Sequence, residues 1–335
     1  MRTIAATREV SEQGFPGTLP LEQQLRFLLR YAVLAPSARN AQPWRFAVQA
    51  NTVLLRADPA RWQPVADPEQ RELHLSLGCA LENLLVAAEH FGFRHSVAYF
   101  PAADDPRLVA TVTFGFGGVR ALERAGLGLD VLLARRTAHG SFTGRPLEVS
   151  QLRALEAAAR DDEIVVNFTE APGRRRDVEA LHARALETLF ARPEYRRELG
   201  EQIGQGNLGL PWPLSQLGRL AISRERVARR IERAELDALR SAPLLALVSS
   251  PGDDHRAHLR SGQVLERVWL AASARGLGLQ PVSAPLEVPA TRDELARIFG
   301  LREGLRPQEL VRIGEPDGRR GFLTPRRPAE EVVGV

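Results

Sequence analysis

Gly78-Cys-Ala-Leu-Glu-Asn-Leu-Leu-Val-Ala-Ala-Glu-His-Phe-Gly92 and Gly262-Gln-Val-Leu-Glu-Arg-Val-Trp-Leu-Ala-Ala-Ser-Ala-Arg-Gly276 are the two stretches of sequence that decide the fold. They align without a gap, and identical residues coincide at six of the fifteen positions. His74 falls on His258 at the same offset of 184 residues. Each stretch places apolar residues at helical spacing and ends at a glycine suited to a helix C-cap. The pattern indicates one buried amphipathic helix that occurs twice, although two Ala- and Leu-rich helices also resemble each other through composition alone.

The surroundings of this helix repeat as well. Strand-like apolar runs precede its two copies at residues 52–57 and 243–248, and further runs follow at 93–101 and 108–114 in the first half and at 277–285 and 309–314 in the second. An opening helix over residues 21–32, stopped by Pro36, has an equivalent at 151–159.

This order predicts an α+β fold of two fused, diverged copies, each with a mainly antiparallel sheet flanked by helices. We expect the first copy at residues 1–130 and the second at 131–335. The second copy contains an Arg- and Glu-rich segment at about residues 174–242, which we interpret as a helical insertion. Residues 204–213 interrupt it with Gly and Pro.

The composition limits the classes of function. Hydrophobic residues make up 44% of the 335 residues and charged residues 26%, as in globular proteins. The sequence contains no long uncharged apolar block and no secretory signal pattern, so we expect a cytoplasmic protein without a membrane partner. Its 45 basic residues, all arginines, nearly match 41 acidic ones, and a net charge of only +4 argues against nucleic-acid binding. Cys79 is the single cysteine, which excludes a disulfide framework, and the histidine spacing predicts no metal site.

A tight connection at residues 35–46 crowds Ser37, Asn40 and Gln42 between a helix and a strand. Side-chain amides offer both a donor and an acceptor, which suits the edge of a heteroaromatic ring. The same residues are also typical of an ordinary turn whose side chains cap backbone groups.

Two arginine-containing segments are candidates for binding a phosphate. Residues 134–142 carry two guanidinium groups, a hydroxyl and an imidazole, and Thr324-Pro-Arg-Arg-Pro328 lies close to the C-terminus. Guanidinium groups match the geometry of phosphate oxygens. In a chain without lysine, however, Arg-Arg pairs also arise by chance, and each segment taken alone is compatible with a solvated turn or tail.

The order of these segments resembles that of the nitroreductase superfamily of FMN-dependent oxidoreductases, most closely the single-chain Acg-type flavoproteins. The stretch Ala-Pro-Ser-Ala-Arg-Asn-Ala-Gln-Pro-Trp at residues 35–44 is the most specific element. The resemblance extends over residues 20–333 and is weakest in the insertion. It implies FMN as the cofactor and no metal.

The resemblance also implies which residues hold FMN. From the first half they are Pro36, Ser37, Ala38, Asn40 and Gln42, and from the second half Arg135, Arg136, Thr137, His139, Pro281, Val282, Ser283, Ala284 and Arg326. The family pattern directs backbone N–H groups near Ser283 and Ala284 at flavin N5, so no catalytic side chain is implied. Ala38, His139 and Thr324 depart from the usual family residues, which predicts weaker phosphate binding.

A second, symmetry-related site is expected to be incomplete. The second half has Glu156-Ala-Ala-Ala-Arg-Asp-Asp162 where the Asn-containing loop belongs, and the first half has no Arg-x-Ser segment near its start. The resemblance therefore implies one FMN per chain. Because fusion supplies the interface internally, one chain suffices for function, and a dimer is compatible with it.

The implied activity is NAD(P)H-dependent transfer of two electrons through flavin N5 to nitro, quinone or similar acceptors. The alternative is an FMN-sequestering or storage protein, in which residues 204–213 cover the flavin and turnover of NAD(P)H is slight. A third interpretation is an arginine-rich interaction protein without a cofactor. The physiological donor and acceptor do not follow from the sequence.

Overall fold

The computed structural model describes residues 10–119, 121–205, 212–222, 225–318 and 324–334. Its helices are α1 (Leu21–Ala32), α2 (Arg71–His90), α3 (Leu129–Ala134), α4 (Val149–Ala158), α5 (Pro172–Ala191), α6 (Pro193–Gly204), α7 (Trp212–Ala221), α8 (Glu225–Arg240), α9 (His255–Ala274), α10 (Ala284–Glu287), α11 (Pro289–Phe299) and α12 (Ala329–Val332). None of these described helices is both long and apolar enough to cross a membrane.

Two antiparallel sheets are built with the same strand order. The first contains β1 (Trp44–Gln49), β2 (Thr52–Ala57), β3 (Phe93–Tyr99) and β4 (Leu108–Phe116), in the order β1-β2-β4-β3. The second contains β5 (Val165–Thr169), β6 (Leu244–Pro251), β7 (Gly278–Pro281) and β8 (Leu305–Gly314), in the order β5-β6-β8-β7. The predicted α+β class, with helices flanking antiparallel sheets, is confirmed.

The repeated helix forms the centre of the molecule as α2 and α9, which cross at their glycines. A Cβ atom on Gly78 would lie 2.0 Å from the carbonyl oxygen of Leu259, and one on Gly262 would lie 2.1 Å from that of Leu75. These two leucines stand at the same offset of 184 residues as the two glycines, so the repeat relates the two contacts. Glycine is required because any side chain would collide with the facing backbone. One apolar core surrounds this crossing and includes residues from both sheets.

The insertion is the clearest difference between the two sheets. In the first sheet, the two-residue turn Ala50–Asn51 joins β1 to β2. In the second sheet, helices α5 to α8 stand between β5 and β6. They span residues 172–240, close to the predicted 174–242. Of the predicted covering segment 204–213, residues 206–211 lie outside the described residues.

One strand of the second sheet was predicted too long, and another was not predicted. The run at 277–285 forms a strand only at Gly278–Pro281, because Pro281 has no N–H to extend the ladder and the chain turns into α10. β5 was not predicted, since it is short and most of its residues are only half-buried, which weakens the apolar alternation.

Candidate functional site

The loop between α1 and β1 has an unusual backbone. Arg39, Asn40 and Gln42 have φ angles of 47°, 56° and 53°, in the left-handed region that non-glycine residues seldom adopt. The backbone N–H of Gln42 donates to Ser37 Oγ at 2.9 Å, and that of Ala38 donates to a serine hydroxyl on α2 at 3.1 Å. Such strain is commonly retained where a loop has to hold a fixed geometry at a functional site.

The C-terminal basic turn docks onto this loop. Arg326 Nη1 donates to Asn40 Oδ1 at 2.7 Å, and Asn40 Nδ2 donates to the carbonyl oxygen of Pro325 at 3.0 Å. The backbone N–H of Arg327 donates to Gln42 Oε1 at 2.8 Å. The two amides predicted to bind a ligand therefore also fasten together segments that lie about 285 residues apart in the chain.

The segment after α3 reaches the same region from the other half. Arg135 is buried, with its guanidinium carbon 4.8 Å from the ring centre of Trp269, and its Nε lies 3.5 Å from Glu266 Oε1. Its Nη2 donates to the carbonyl oxygen of Leu34 at 3.2 Å, and Arg326 Nε reaches the same oxygen at 3.4 Å. Two guanidinium groups of the second half thus converge on one carbonyl of the first half, just after α1.

Thr137 and the end of β7 are brought side by side by a short parallel bridge between Thr137 and Leu279. The backbone N–H of Ala138 donates to the carbonyl oxygen of Leu279 at 3.1 Å. This pairing sets the loop of residues 281–284 against the arginine-containing segment. Ser283 is the N-cap residue of α10, and the first N–H groups of a helix lack acceptors within it.

Two adjoining cavities lie where these segments meet, with volumes of about 430 and 250 Å³. Eleven of the fourteen predicted residues line at least one of them: Pro36, Ser37, Ala38, Asn40, Thr137, His139, Pro281, Val282, Ser283, Ala284 and Arg326. Gln42 fastens the loop, Arg135 packs behind Trp269, and Arg136 Nη1 donates to the carbonyl oxygen of Ala134, so these three do not line either cavity.

The cavities also have walls that sequence reasoning missed. They include Glu72, Ser76, Gln280, Trp269 and Glu309. Gln280 lines both cavities, and its Oε1 accepts from Arg312 Nε at 3.1 Å. Ser76 lies just before the first copy of the repeated stretch and Trp269 lies within the second, but the repeat alone does not say which helical face borders a cavity.

Carboxyl groups close to the cavities are shifted toward their neutral forms. Burial raises the pKa of Glu72 to about 7 and that of Glu266 to about 8, and it also raises the pKa of Glu309. Near pH 7 Glu266 therefore offsets less of the positive charge of Arg135 and Arg326 than an ionised carboxylate would. This end of the smaller cavity suits an anionic group.

The repeat relates the residues around the smaller cavity to a second set of positions in the other half. There the side chains are longer and pair with one another. An offset of 184 residues puts Arg260 at the position of Ser76 and Gln263 at that of Cys79, so two long side chains replace two small ones that line the smaller cavity. Arg260 Nη2 lies 2.8 Å from Asp161 Oδ2, and Gln263 Nε2 donates to Glu82 at 3.1 Å.

Further ion pairs complete this buried network. Arg124 Nε lies 2.6 Å from Glu82 Oε1, and Arg267 Nη2 lies 3.0 Å from Asp161 Oδ2. Glu82 is the counterpart of Glu266 in the repeat, but its pKa is lowered, because attraction to Arg124 and Arg267 and hydrogen bonds from Arg124 and Gln263 exceed the effect of burial. Equivalent carboxyl groups thus have opposite shifts in the two places.

The model of the nitroreductase family matches residues 133–315, more than half of the chain. A protein of Mycobacterium tuberculosis H37Rv named "Putative NAD(P)H nitroreductase Rv3131" is 32% identical over 327 residues, which cover 94% of this chain and 92% of that protein. Another from the same species, "Putative NAD(P)H nitroreductase acg", is 30% identical over 338 residues, covering 96% and 98%.

Solved structures of nitroreductases are also similar, at lower levels. The FMN-dependent nitroreductase NfnB of Mycobacterium smegmatis, in complex with NADPH, is 20% identical, with a TM-score of 0.44 over 61% of this chain and 96% of its own. A nitroreductase with bound FMN from Desulfitobacterium hafniense is 16% identical, with a TM-score of 0.43 over 62% and 96%.

Proposed function

The chain belongs to the nitroreductase family, and from that premise we propose that it is an FMN-binding flavoprotein that transfers two electrons from NAD(P)H to a small acceptor. One observation carries the proposal. Four segments far apart in the sequence, which the family pattern assigns to FMN, converge on two adjoining cavities. The donor class follows from the names of the M. tuberculosis relatives.

The residues around the smaller cavity fit the phosphate of FMN. Arg326 and Thr324 line it and are joined by a hydrogen bond of 2.7 Å, and Thr137 adds a hydroxyl from the other side. Arg135 does not line the cavity, but its positive charge would still attract the phosphate, because its guanidinium and that of Arg326 both reach the carbonyl oxygen of Leu34. A guanidinium, a second nearby cation and hydroxyl donors are the groups that a phosphate dianion requires.

The residues shared by both cavities fit the ring system. His139, Gln280 and Ser283 border both cavities, and Ser37 and Asn40 stand at the rim of the smaller one. These groups supply donors and acceptors to the edge of the ring, while the backbone N–H groups of Ser283 and Ala284 would meet N5. When bound, FMN supplies hydride acceptance and two-electron transfer at that atom. The chain contributes orientation, hydrogen bonds and exclusion of water by the insertion.

We propose that each chain holds one FMN between two diverged halves, residues 1–130 and 131–335. The repeated strand order and the paired contacts of Gly78 and Gly262 support this division. The single site is supported by the contrast between small cavity-lining residues, such as Ser76, and the long Arg260 at the matched position. At that matched place Arg260 belongs to an ion-pair network with Asp161, Arg267, Glu82 and Arg124.

Spectra of the purified protein before and after reduced nicotinamide test this function. We expect a yellow protein whose flavin absorbance bleaches when NADH or NADPH is added without oxygen and returns when an acceptor is added. A colourless protein that gains no flavin spectrum with FMN would overturn the proposal. A yellow protein that no reduced nicotinamide bleaches would favour FMN sequestration instead, an alternative supported by the insertion helices that line the larger cavity.

A further inference from the structure

The insertion forms one wall of the larger cavity. Apolar side chains make up most of that wall: Leu186, Phe190, Leu199, Ile203 and Ile231. His182, Tyr195 and Glu235 supply its polar groups. The first sheet has only the turn Ala50–Asn51 at the equivalent place, so this wall has no counterpart in the other half. None of these residues belongs to the family motifs that bind FMN. Their role is therefore a question separate from FMN binding.

His182, on α5, is the exceptional residue of this wall. Only 2% of it is exposed, and neither ring nitrogen has a hydrogen-bond partner among the described residues. Burial, with a further contribution from the nearby positive charge of Arg312, lowers the pKa of His182 to about 4. At neutral pH the ring is therefore uncharged and presents one N–H donor and one acceptor.

An unpartnered polar group in the interior is costly, and proteins rarely retain one without a use. The ring of His182 borders a cavity of about 430 Å³, within the range typical of small-molecule sites. A bound molecule with a hydrogen-bonding group can satisfy the imidazole, and the apolar side chains of the insertion favour an uncharged molecule on their side of the cavity. Aromatic molecules suit a pocket that contains Phe190 and Tyr195.

We propose that the insertion builds a binding compartment for an uncharged aromatic molecule with a carbonyl or amide group, and that His182 hydrogen-bonds to that group. This compartment lies beside the residues assigned to the flavin ring, because Ser283 and His139 also line the larger cavity. The inference rests on the proposed function in one respect, namely that the molecule bound there is the electron acceptor.

A matched pair of probes tests the hydrogen bond. Acetophenone and isopropylbenzene have nearly the same shape, but only acetophenone has a carbonyl oxygen. Calorimetric titration of the protein as purified should show tighter binding of acetophenone. His182→Leu should weaken acetophenone binding by about three- to tenfold, the loss of one buried hydrogen bond, and leave isopropylbenzene binding unchanged. His182→Gln, which retains a donor and an acceptor, should restore most of the affinity for acetophenone.

Two further variants keep the test decisive. His255→Leu is the matched control, because His255 lies outside both cavities against His74, and it should bind both probes normally. Ile231→Trp should fill the compartment and abolish binding of both probes, even if His182→Leu does not fold. The proposal is overturned if wild-type protein does not bind acetophenone, if His182→Leu weakens both probes equally, or if it weakens neither.

The flavin content of every sample separates this inference from the proposed function. His182 borders only the larger cavity, and the variant should retain as much flavin as wild type. A wild-type protein without flavin that still binds acetophenone through His182 would contradict the proposed function and support the compartment. A yellow protein with no preference for acetophenone would support the proposed function and contradict the compartment.

Discussion

Arg326 lies in the turn near the C-terminus and contacts the loop between α1 and β1. Its guanidinium donates to Asn40, Thr324 and Leu34, and it also lines the smaller cavity. One side chain thus fixes the strained loop and faces the proposed phosphate. Removing it would take a positive charge from the wall of the smaller cavity and also loosen the loop.

We expect Arg326→Ala to weaken FMN binding by about tenfold or more, the usual size of a lost charged hydrogen bond. Arg135→Ala should weaken it as well, through the lost second cation. Arg174→Ala is the matched control, since Arg174 packs on Phe299 and donates to Ile298 away from both cavities. Flavin retained after gel filtration and dissociation constants for added FMN provide the measurement. Equal retention by the Arg326 and Arg174 variants would refute the assignment.

At this scale the sequence predicted which segments meet but not what each side chain does. In residues 35–44, spacing and residue type were enough to mark the loop. Sequence could not reveal that Gln42 bonds to Arg327, or that Arg135 lies behind Trp269, because both facts depend on packing between halves. His182 had no local signal at all, since its importance arises from the missing partners around it.

At the scale of elements, the α2–α9 pair holds the halves together through backbone contact at glycine. The helices approach so closely that the facing carbonyl oxygens leave no room for a methyl group. Packing of this kind ties the geometry of both halves, and therefore of the site between them, to two residues that carry no side chain.

Gly262→Ala should lower the free energy of unfolding by about 3 kcal/mol, because the new Cβ would lie 2.1 Å from the carbonyl oxygen of Leu75 and the helices would have to separate. Gly173→Ala is the control within a helix. A Cβ there meets nothing within 4 Å, and we expect a change of less than about 1 kcal/mol toward greater stability. Denaturant unfolding measures both values. Similar stabilities for the two variants would contradict the close crossing.

Most elements of the fold were predictable because the apolar periodicity of long buried helices is strong. The helix at 71–90 and its counterpart at 255–274 are examples. The limits of β7 and the presence of β5 were not, since prolines and half-buried positions blur the alternation. The insertion was located by its charge, but only its contacts reveal that it borders the larger cavity.

At the scale of the whole molecule, the two halves have kept one strand order and diverged in what fills the space between them. Ser76 and Cys79 leave room on one side, while Arg260 and Gln263 occupy the other. The opposite pKa shifts of Glu266 and Glu82 follow from this difference, since one carboxyl group is mainly desolvated and the other is ion-paired. Both differences agree with the proposal of one FMN site per chain.

The number of FMN molecules per chain tests this account most directly. Protein saturated with FMN and freed of excess by gel filtration is denatured, and the released flavin is compared with the amount of chain from amino-acid analysis. The account predicts one FMN per chain. Two per chain would contradict the filled counterpart site, and none would contradict the cofactor itself.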